Sequence, residues 1–191
     1  FMKKSVSLKL IVFSFLLVSG SITYSAAPTI EAGTGTNSTK AGIDNAAINE
    51  KSSAFGHSNT ANGEESSAFG YTNNAKEEGS SAFGHKNRAI KKNSSAFGLD
   101  NETIGENGSA FGLGNRVDGL NGSAFGYKNA ADGENSSAFG FENKTSEKKS
   151  SAFGFRNEAA ATESTVLGVN YKVTGAHSGA IGIGTYDEVN H

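Results

Sequence analysis

The chain has 191 residues, with 17 Lys and Arg against 19 Asp and Glu, no cysteine and one proline. Without cysteine, this chain has neither a disulfide framework nor thiolate metal sites. The formal charge of −2 provides no basic excess for nucleic acids or anionic membranes, so neither is expected as a partner.

The first 25 residues have the pattern of a secretory signal peptide. Lys3 and Lys4 form a basic start, an apolar run follows over residues 10–18, and small and polar residues then provide cleavage sites. The apolar run is too short for a transmembrane helix. Cleavage would remove three lysines and no acidic residue, which changes the formal charge from −2 to −5. Residues 26–37 are then expected to form a flexible leader.

From Ser52 onward, one five-residue motif recurs every 14 residues. Eight copies read Ser-Ser-Ala-Phe-Gly or Gly-Ser-Ala-Phe-Gly, and two looser copies start at Ser164 and Ser178. A fixed short period without insertions is typical of a solenoid, in which each repeat stacks on the next. We therefore predict one repeat domain over residues 38–191, with a degenerate first coil at 38–51 and ten repeats from residue 52 onward.

Fourteen residues fit one coil made of two short strands and two tight turns. A helical interpretation fails, because the segments are rich in Gly, Ser and Asn and show no apolar stripe of helical period. The sequence therefore predicts an all-β parallel roll. Ten coils stacked at the usual strand spacing would form a rod about 45–50 Å long.

Alternation along the first strand of each coil defines two faces, one with phenylalanine and one with only small residues. Where phenylalanine gives way to Leu167, the neighbouring positions enlarge to Val166 and Val173, as expected inside a packed interior. The predicted roll core is therefore the phenylalanine position of every repeat: Phe55, Phe69, Phe83, Phe97, Phe111, Phe125, Phe139, Phe153, Leu167 and Ile181.

The opposite face is a smooth strip that would let a second backbone approach closely. We predict that it forms a subunit interface, although a solvent-facing polar strip is the alternative. The interface residues would be Ser52, Ala54, Gly56, Ala68, Ala82, Ala96, Ala110, Ala124, Ala138 and Ala152.

The second half of each repeat carries two further patterns. An asparagine recurs three residues after the glycine, from Asn59 to Asn157, and is expected to be structural. The residue directly after the glycine is often aromatic or apolar, and we favour its full or partial burial. If it is exposed, the stripe would bind a protein partner, with Tyr71, Tyr127, Phe141 and Phe155 as the receptor-binding candidates. The variable turn at residues 86–92 is the next candidate.

No catalytic or metal-binding constellation is evident in the sequence. His57 and His85 are two repeats apart, and this separation of about 10 Å is too large for them to share one metal ion directly. We therefore expect no enzymatic activity, no catalytic residue, no metal and no cofactor.

The motif Ser-x-Ala-apolar-Gly every 14 residues, followed by Asn and Ala, resembles the head repeat of the YadA-like trimeric autotransporter adhesins from about Ser38 to Gly182. The resemblance implies a left-handed parallel β-roll assembled as a homotrimer, with small residues near the threefold axis. It also implies display on the outer membrane of a Gram-negative bacterium. The family's partners are host matrix proteins or receptors such as CEACAM molecules, and the Phe-rich style suggests a fusobacterial, CEACAM-binding type.

The family's stalk and membrane anchor are not evident before His191, so contact with the membrane is expected only through an anchor absent from this chain. We therefore expect the head of a surface adhesin that binds host receptors or matrix proteins without catalysis. The alternative is a structural spacer that projects another adhesive domain from the cell surface.

Overall fold

Each 14-residue repeat forms one coil of a parallel β-solenoid in the computed structural model, which describes residues 30–182. A coil consists of a five-residue strand, a tight turn, a two-residue strand and a second turn. The long strands are Thr39–Ile43, Ser53–His57, Ser67–Tyr71, Ser81–His85, Ser95–Leu99, Ser109–Leu113, Ser123–Tyr127, Ser137–Phe141, Ser151–Phe155 and Thr165–Val169, followed by Gly179–Ile181.

The short strands form a second sheet along the other side of the roll. They are Ala46–Ala47, Thr60–Ala61, Asn74–Ala75, Arg88–Ala89, Glu102–Thr103, Arg116–Val117, Ala130–Ala131, Lys144–Thr145, Glu158–Ala159 and Lys172–Val173. Successive coils pair parallel and in register, so that Phe55 lies opposite Phe69 and Gly56 opposite Gly70. The predicted all-β parallel solenoid is confirmed over the described residues.

An alanine ladder forms the core of the roll, and the predicted phenylalanine core is wrong. Ala54 in the long strand and Ala61 in the short strand are both fully buried and belong to one apolar cluster. The phenylalanines lie on the outer face of the long-strand sheet and are only partly buried. Leu167 and Ile181, at the same position of later coils, are 43% and 74% exposed.

The small interior of the coil explains this inversion of the two faces. Between the sheets, the buried positions hold Ser, Ala, Asn and Gly, which leave no space for a phenyl ring. The rings instead stack on one another along the rod, as Phe69 does on Phe83 at 4.8 Å between centroids. Val166 and Val173 do lie together in the core, but Leu167 does not share their space.

The small-residue strip predicted as a subunit interface is therefore wrong for its serine and alanines. Ser52 and all eight alanines of that set have 0% exposure within a single chain, so they cannot contact a second one. Gly56 remains exposed, but its backbone has φ of 116°, and an added Cβ would overlap the carbonyl oxygen of Gly70 on the next coil. Glycine at this position therefore permits the close stacking of coils.

A ladder of buried asparagines joins the coils from within, and this confirms their predicted structural role. The amide nitrogen of Asn73 donates to the carbonyl of Phe69 at 2.8 Å, to that of Gly84 at 2.7 Å and to Oδ1 of Asn59 at 2.9 Å. Its own oxygen accepts from the backbone and side-chain amides of Asn87. Every polar atom of the side chain is thus satisfied inside the roll.

Part of the predicted leader belongs to the roll instead. The strand Ile30–Ala32 pairs antiparallel with the first long strand, with Ile30 opposite Ala41. The backbone of Thr34 then donates to the carbonyl of Ala47 at 2.8 Å, so the segment covers the first edge of both sheets. Residues 1–29, which include the predicted signal peptide, and residues 183–191 lie outside the described residues. Among residues 30–182, no helix has the length and apolar character needed to cross a bilayer.

Candidate binding surfaces

The outer face of the long-strand sheet carries a continuous phenylalanine ladder, defined as Phe55, Phe69, Phe83, Phe97, Phe111, Phe125, Phe139 and Phe153. Neighbouring ring centroids are 4.8 Å apart at most steps and 5.3 Å apart at the last, with nearly parallel planes. Because each ring covers the face of the next, the ladder presents ring edges to its surroundings. The result is a long apolar surface that no other part of the described chain covers.

The residue after each motif glycine forms a second row, the post-glycine stripe, defined as His57, Tyr71, His85, Leu99, Leu113, Tyr127, Phe141, Phe155 and Val169. Tyr71 is 48% exposed, whereas Tyr127, Phe141 and Phe155 are partly buried. The stripe thus lies at the surface with partial burial.

The four receptor-binding candidates fall into two groups along the stripe. Tyr127 stacks on Phe141 at 4.6 Å and Phe141 on Phe155 at 4.9 Å between centroids, which creates one aromatic cluster. Tyr71 lies apart from this cluster, with its ring 5.0 Å from those of His57 and His85.

Two cations border the aromatic cluster. Lys128 Nζ lies 5.1 Å from the ring centroid of Tyr127, and the guanidinium of Arg156 lies 4.8 Å from that of Phe155. The guanidinium of Arg156 also donates to Glu142 at 2.7 Å. An aromatic centre with a charged rim is the composition typical of protein-binding surfaces.

Ion pairs between neighbouring coils cover much of the remaining surface. The hydrogen bond from Lys148, at 2.8 Å, lowers the pKa of the Glu134 carboxyl. Lys149, and after it His177, lower the pKa of the Glu163 carboxyl. These pairs are exposed and join residues 14 positions apart, so they add modestly to coil stacking and form no specific site.

A cavity of about 420 Å³ opens at the first turn and the outer face of the short-strand sheet. Its walls include Thr60, Thr72, Asn74, Lys86 and Arg88. The sequence pointed here only through the variable turn at 86–92. A sharper signal was the polar column formed by the same turn position in successive coils, which places Thr72 before Lys86.

Metal coordination finds no support in the part of the chain that the structure describes. No group of three or more His, Asp or Glu side chains between residues 30 and 182 could hold a metal ion. The ring of Tyr71 lies between His57 and His85, which therefore act as members of an aromatic stack.

Four segments of the chain match the YadA head domain repeat, at residues 47–73, 61–87, 75–101 and 118–143. The first three begin 14 residues apart, which is the length of one coil. No curated protein matches the chain. Period, motif and parallel solenoid all agree with the matched repeat, and the chain therefore belongs to the YadA head domain family of the trimeric autotransporter adhesins.

Proposed function

We propose that this protein is the adhesive head of a trimeric bacterial surface adhesin, which binds a host protein without catalysis. The observation that carries the proposal is the aromatic cluster of Tyr127, Phe141 and Phe155, held on a rigid roll and bordered by Lys128 and Arg156. Aromatic and arginine side chains dominate the binding energy of most protein interfaces. Membership of an adhesin family supports the same conclusion.

The proposed partner is a host receptor of the CEACAM type or an extracellular matrix protein. The chain would be exported by a signal peptide over residues 1–25 and displayed on the outer membrane through an anchor that this sequence does not contain. Three copies of a weak site on one trimer would raise the avidity for a surface that carries many receptors.

The homotrimer is proposed to form through the phenylalanine ladder rather than through the small residues first chosen for it. Side chains such as Phe83 and Phe97 lie on the outer face of the roll and remain accessible in the single chain. A continuous apolar face of this length is rarely left in contact with water by a soluble protein. Three rolls that bring these faces together would cover them around a threefold axis.

A structural spacer is the second candidate, and the uniformity of the coils favours it. Each coil pairs with the next in the same register over the whole rod, and cross-coil ion pairs such as Lys92 with Glu78 stiffen its surface. A regular rod of this kind could project another domain even if none of its own surfaces bound a receptor.

Binding of the purified secreted chain to immobilised CEACAM ectodomains, collagen and fibronectin separates the two candidates. We expect binding to at least one of them, weakened about tenfold or more by Phe141→Ser. Leu120→Ser is the matched control, because Leu120 is 41% exposed but lies in a turn outside the stripe. Unchanged binding by a folded Phe141→Ser protein would exclude the cluster as the site. A folded head that binds none of these proteins would support the spacer.

A further inference from the structure

The cavity beside Lys86 faces away from the phenylalanine ladder. Its floor is a stack of outward-facing residues, in which Thr60 lies next to Asn74 and Asn74 next to Arg88 on successive short strands. Their chain neighbours, such as Ala75, point into the core. The cavity therefore stays open to solvent even when the opposite side of the roll is covered by other subunits.

Lys86 is the one cation of its coil without an ion-pair partner among the described residues. In the coil formed by residues 80–93, Arg88 pairs with Glu102, Lys91 with Glu77 at 3.2 Å, and Lys92 with Glu78 at 2.9 Å, as their positions on adjacent coils allow:. Lys86 instead projects from an exposed turn at the wall of the cavity. Its charge is available to an anionic group from outside the chain.

Asn74 supplies a second unsatisfied group at the same place. Its side-chain oxygen is buried and has no hydrogen-bond partner within the described chain. A buried acceptor without a donor is unfavourable, and a ligand hydroxyl would relieve that cost. The hydroxyls of Thr60 and Thr72 lie on the same walls and can either donate or accept.

These groups define the chemistry of the ligand, and we propose that the cavity binds an acidic sugar. The carboxylate of the sugar would pair with Lys86, while ring hydroxyls would donate to the oxygens of Asn74 and Asp100, which also lines the cavity. A simple inorganic anion would leave the Asn74 oxygen unsatisfied and would meet the carboxylate of Asp100. A neutral sugar would leave Lys86 unpaired. A volume of about 420 Å³ falls within the range of small-ligand sites.

This inference deepens the proposed function, and its biological role rests on that function, because acidic sugars cover host glycoproteins and matrix. The sugar could be a terminal sialic acid or a uronic acid within a linear chain. Both carry a carboxylate on a polyhydroxylated ring, and the choice between them is made by experiment.

Ligand-observed NMR on the purified secreted chain tests the proposal with four probes: N-acetylneuraminic acid, glucuronic acid, lactose and inorganic phosphate. We expect one of the two sugar acids to bind more tightly than lactose and phosphate. Lys86→Asn should weaken that binding about tenfold or more, because it removes a charge-assisted hydrogen bond. Asparagine is chosen because Lys86 has a left-handed backbone, with φ of 57°, that asparagine tolerates.

Lys128→Asn is the matched control, since Lys128 occupies the same turn position three coils further on and does not line the cavity. It should bind the sugar acid as the unmodified protein does. Asn74→Asp is a second test, because an added carboxylate would repel that of the sugar while it keeps the size of the side chain.

Absence of binding by both sugar acids, equal binding of phosphate, or unchanged binding by Lys86→Asn and Asn74→Asp would each overturn the proposal. Free sugars report on this cavity without any host protein. A negative result here is therefore distinguishable from loss of receptor binding at the aromatic cluster, which Phe141→Ser measures separately.

Discussion

The glycine of each motif meets two separate constraints at the scale of a single residue. Gly98 has φ of 120°, a region that side chains rarely adopt, and a Cβ added there would overlap the carbonyl oxygen of Gly112 on the next coil. Either constraint alone would favour glycine, and together they exclude every other residue.

Gly98→Ala should therefore lower the free energy of unfolding by about 1–3 kcal/mol through backbone strain alone, and by more where the overlap forces the coils apart. Urea denaturation followed by circular dichroism measures the change. Gly114→Asn is the control, because Gly114 has φ of 65° and an added Cβ would meet only the Lys128 side chain, at 3.3 Å. Equal losses for both variants would contradict this explanation.

The buried asparagines concentrate hydrogen bonds in the same way. Asn101 donates to the carbonyls of Phe97 and Gly112, and its oxygen accepts two bonds from Asn115. No other residue of similar size both donates and accepts in this geometry.

Asn101→Ala should lower the free energy of unfolding by about 3 kcal/mol or more, because several buried polar groups lose their partners at once. The same urea titration serves as the measurement. Asn107→Gly is the matched control, since Asn107 belongs to an exposed amide ladder with Asn93 and Asn121 and keeps its positive φ as glycine. A loss as large as that of Asn101→Ala would show that burial is not the cause.

At the scale of one coil, the volume exchange expected from the sequence exists, but between other positions. Val117 occupies the core place that is alanine in most coils, and Gly122 follows it where most coils have serine. A Cβ at Gly122 would lie 2.8 Å from the Val117 side chain. The coil with Thr103 and Gly108 repeats the exchange, with a corresponding distance of 2.7 Å.

Gly122→Ser should therefore destabilise the roll by about 1–3 kcal/mol through overpacking. The double variant Gly122→Ser with Val117→Ala recreates the pair of ordinary coils and should recover most of that loss. A double-mutant cycle on the urea midpoints gives the coupling directly. Additive effects of the two substitutions would contradict the exchange.

At the scale of the whole molecule, the outward position of the phenylalanines separates folding from assembly. A phenylalanine in the core would unfold the coil when replaced by a charge, whereas one on the outer face would affect only the contact between chains. Phe111 lies near the middle of the ladder and is only partly buried.

Phe111→Glu should leave the β-sheet circular dichroism spectrum intact and convert the trimer to a monomer, because three carboxylates would be brought together in an apolar interface. Light scattering measures the mass of both proteins. Lys144→Glu is the control, since Lys144 is an exposed residue on the opposite sheet and should leave the trimer unchanged. A monomeric unmodified head, or a Phe111→Glu protein that stays trimeric, would contradict the proposed interface.

The sequence by itself determined the architecture of this protein. A period of 14 residues without insertions leaves a stacked coil as the only arrangement in which every repeat meets its neighbour in the same way. The same regularity predicted the parallel register and the structural role of Asn73, because a ladder of identical side chains either pairs along the rod or repels.

Only the tertiary structure decided which face of the long strand is the inside. Alternation separates Ala54 from Phe55 but does not say which of them faces the core, and the usual preference for large apolar residues in the interior selected the wrong one. The two sheets of the coil lie too close together for rings, so alanine fills the core and the rings stack outside it. The cavity beside Lys86 was equally inaccessible from sequence, because it depends on side chains from four successive coils.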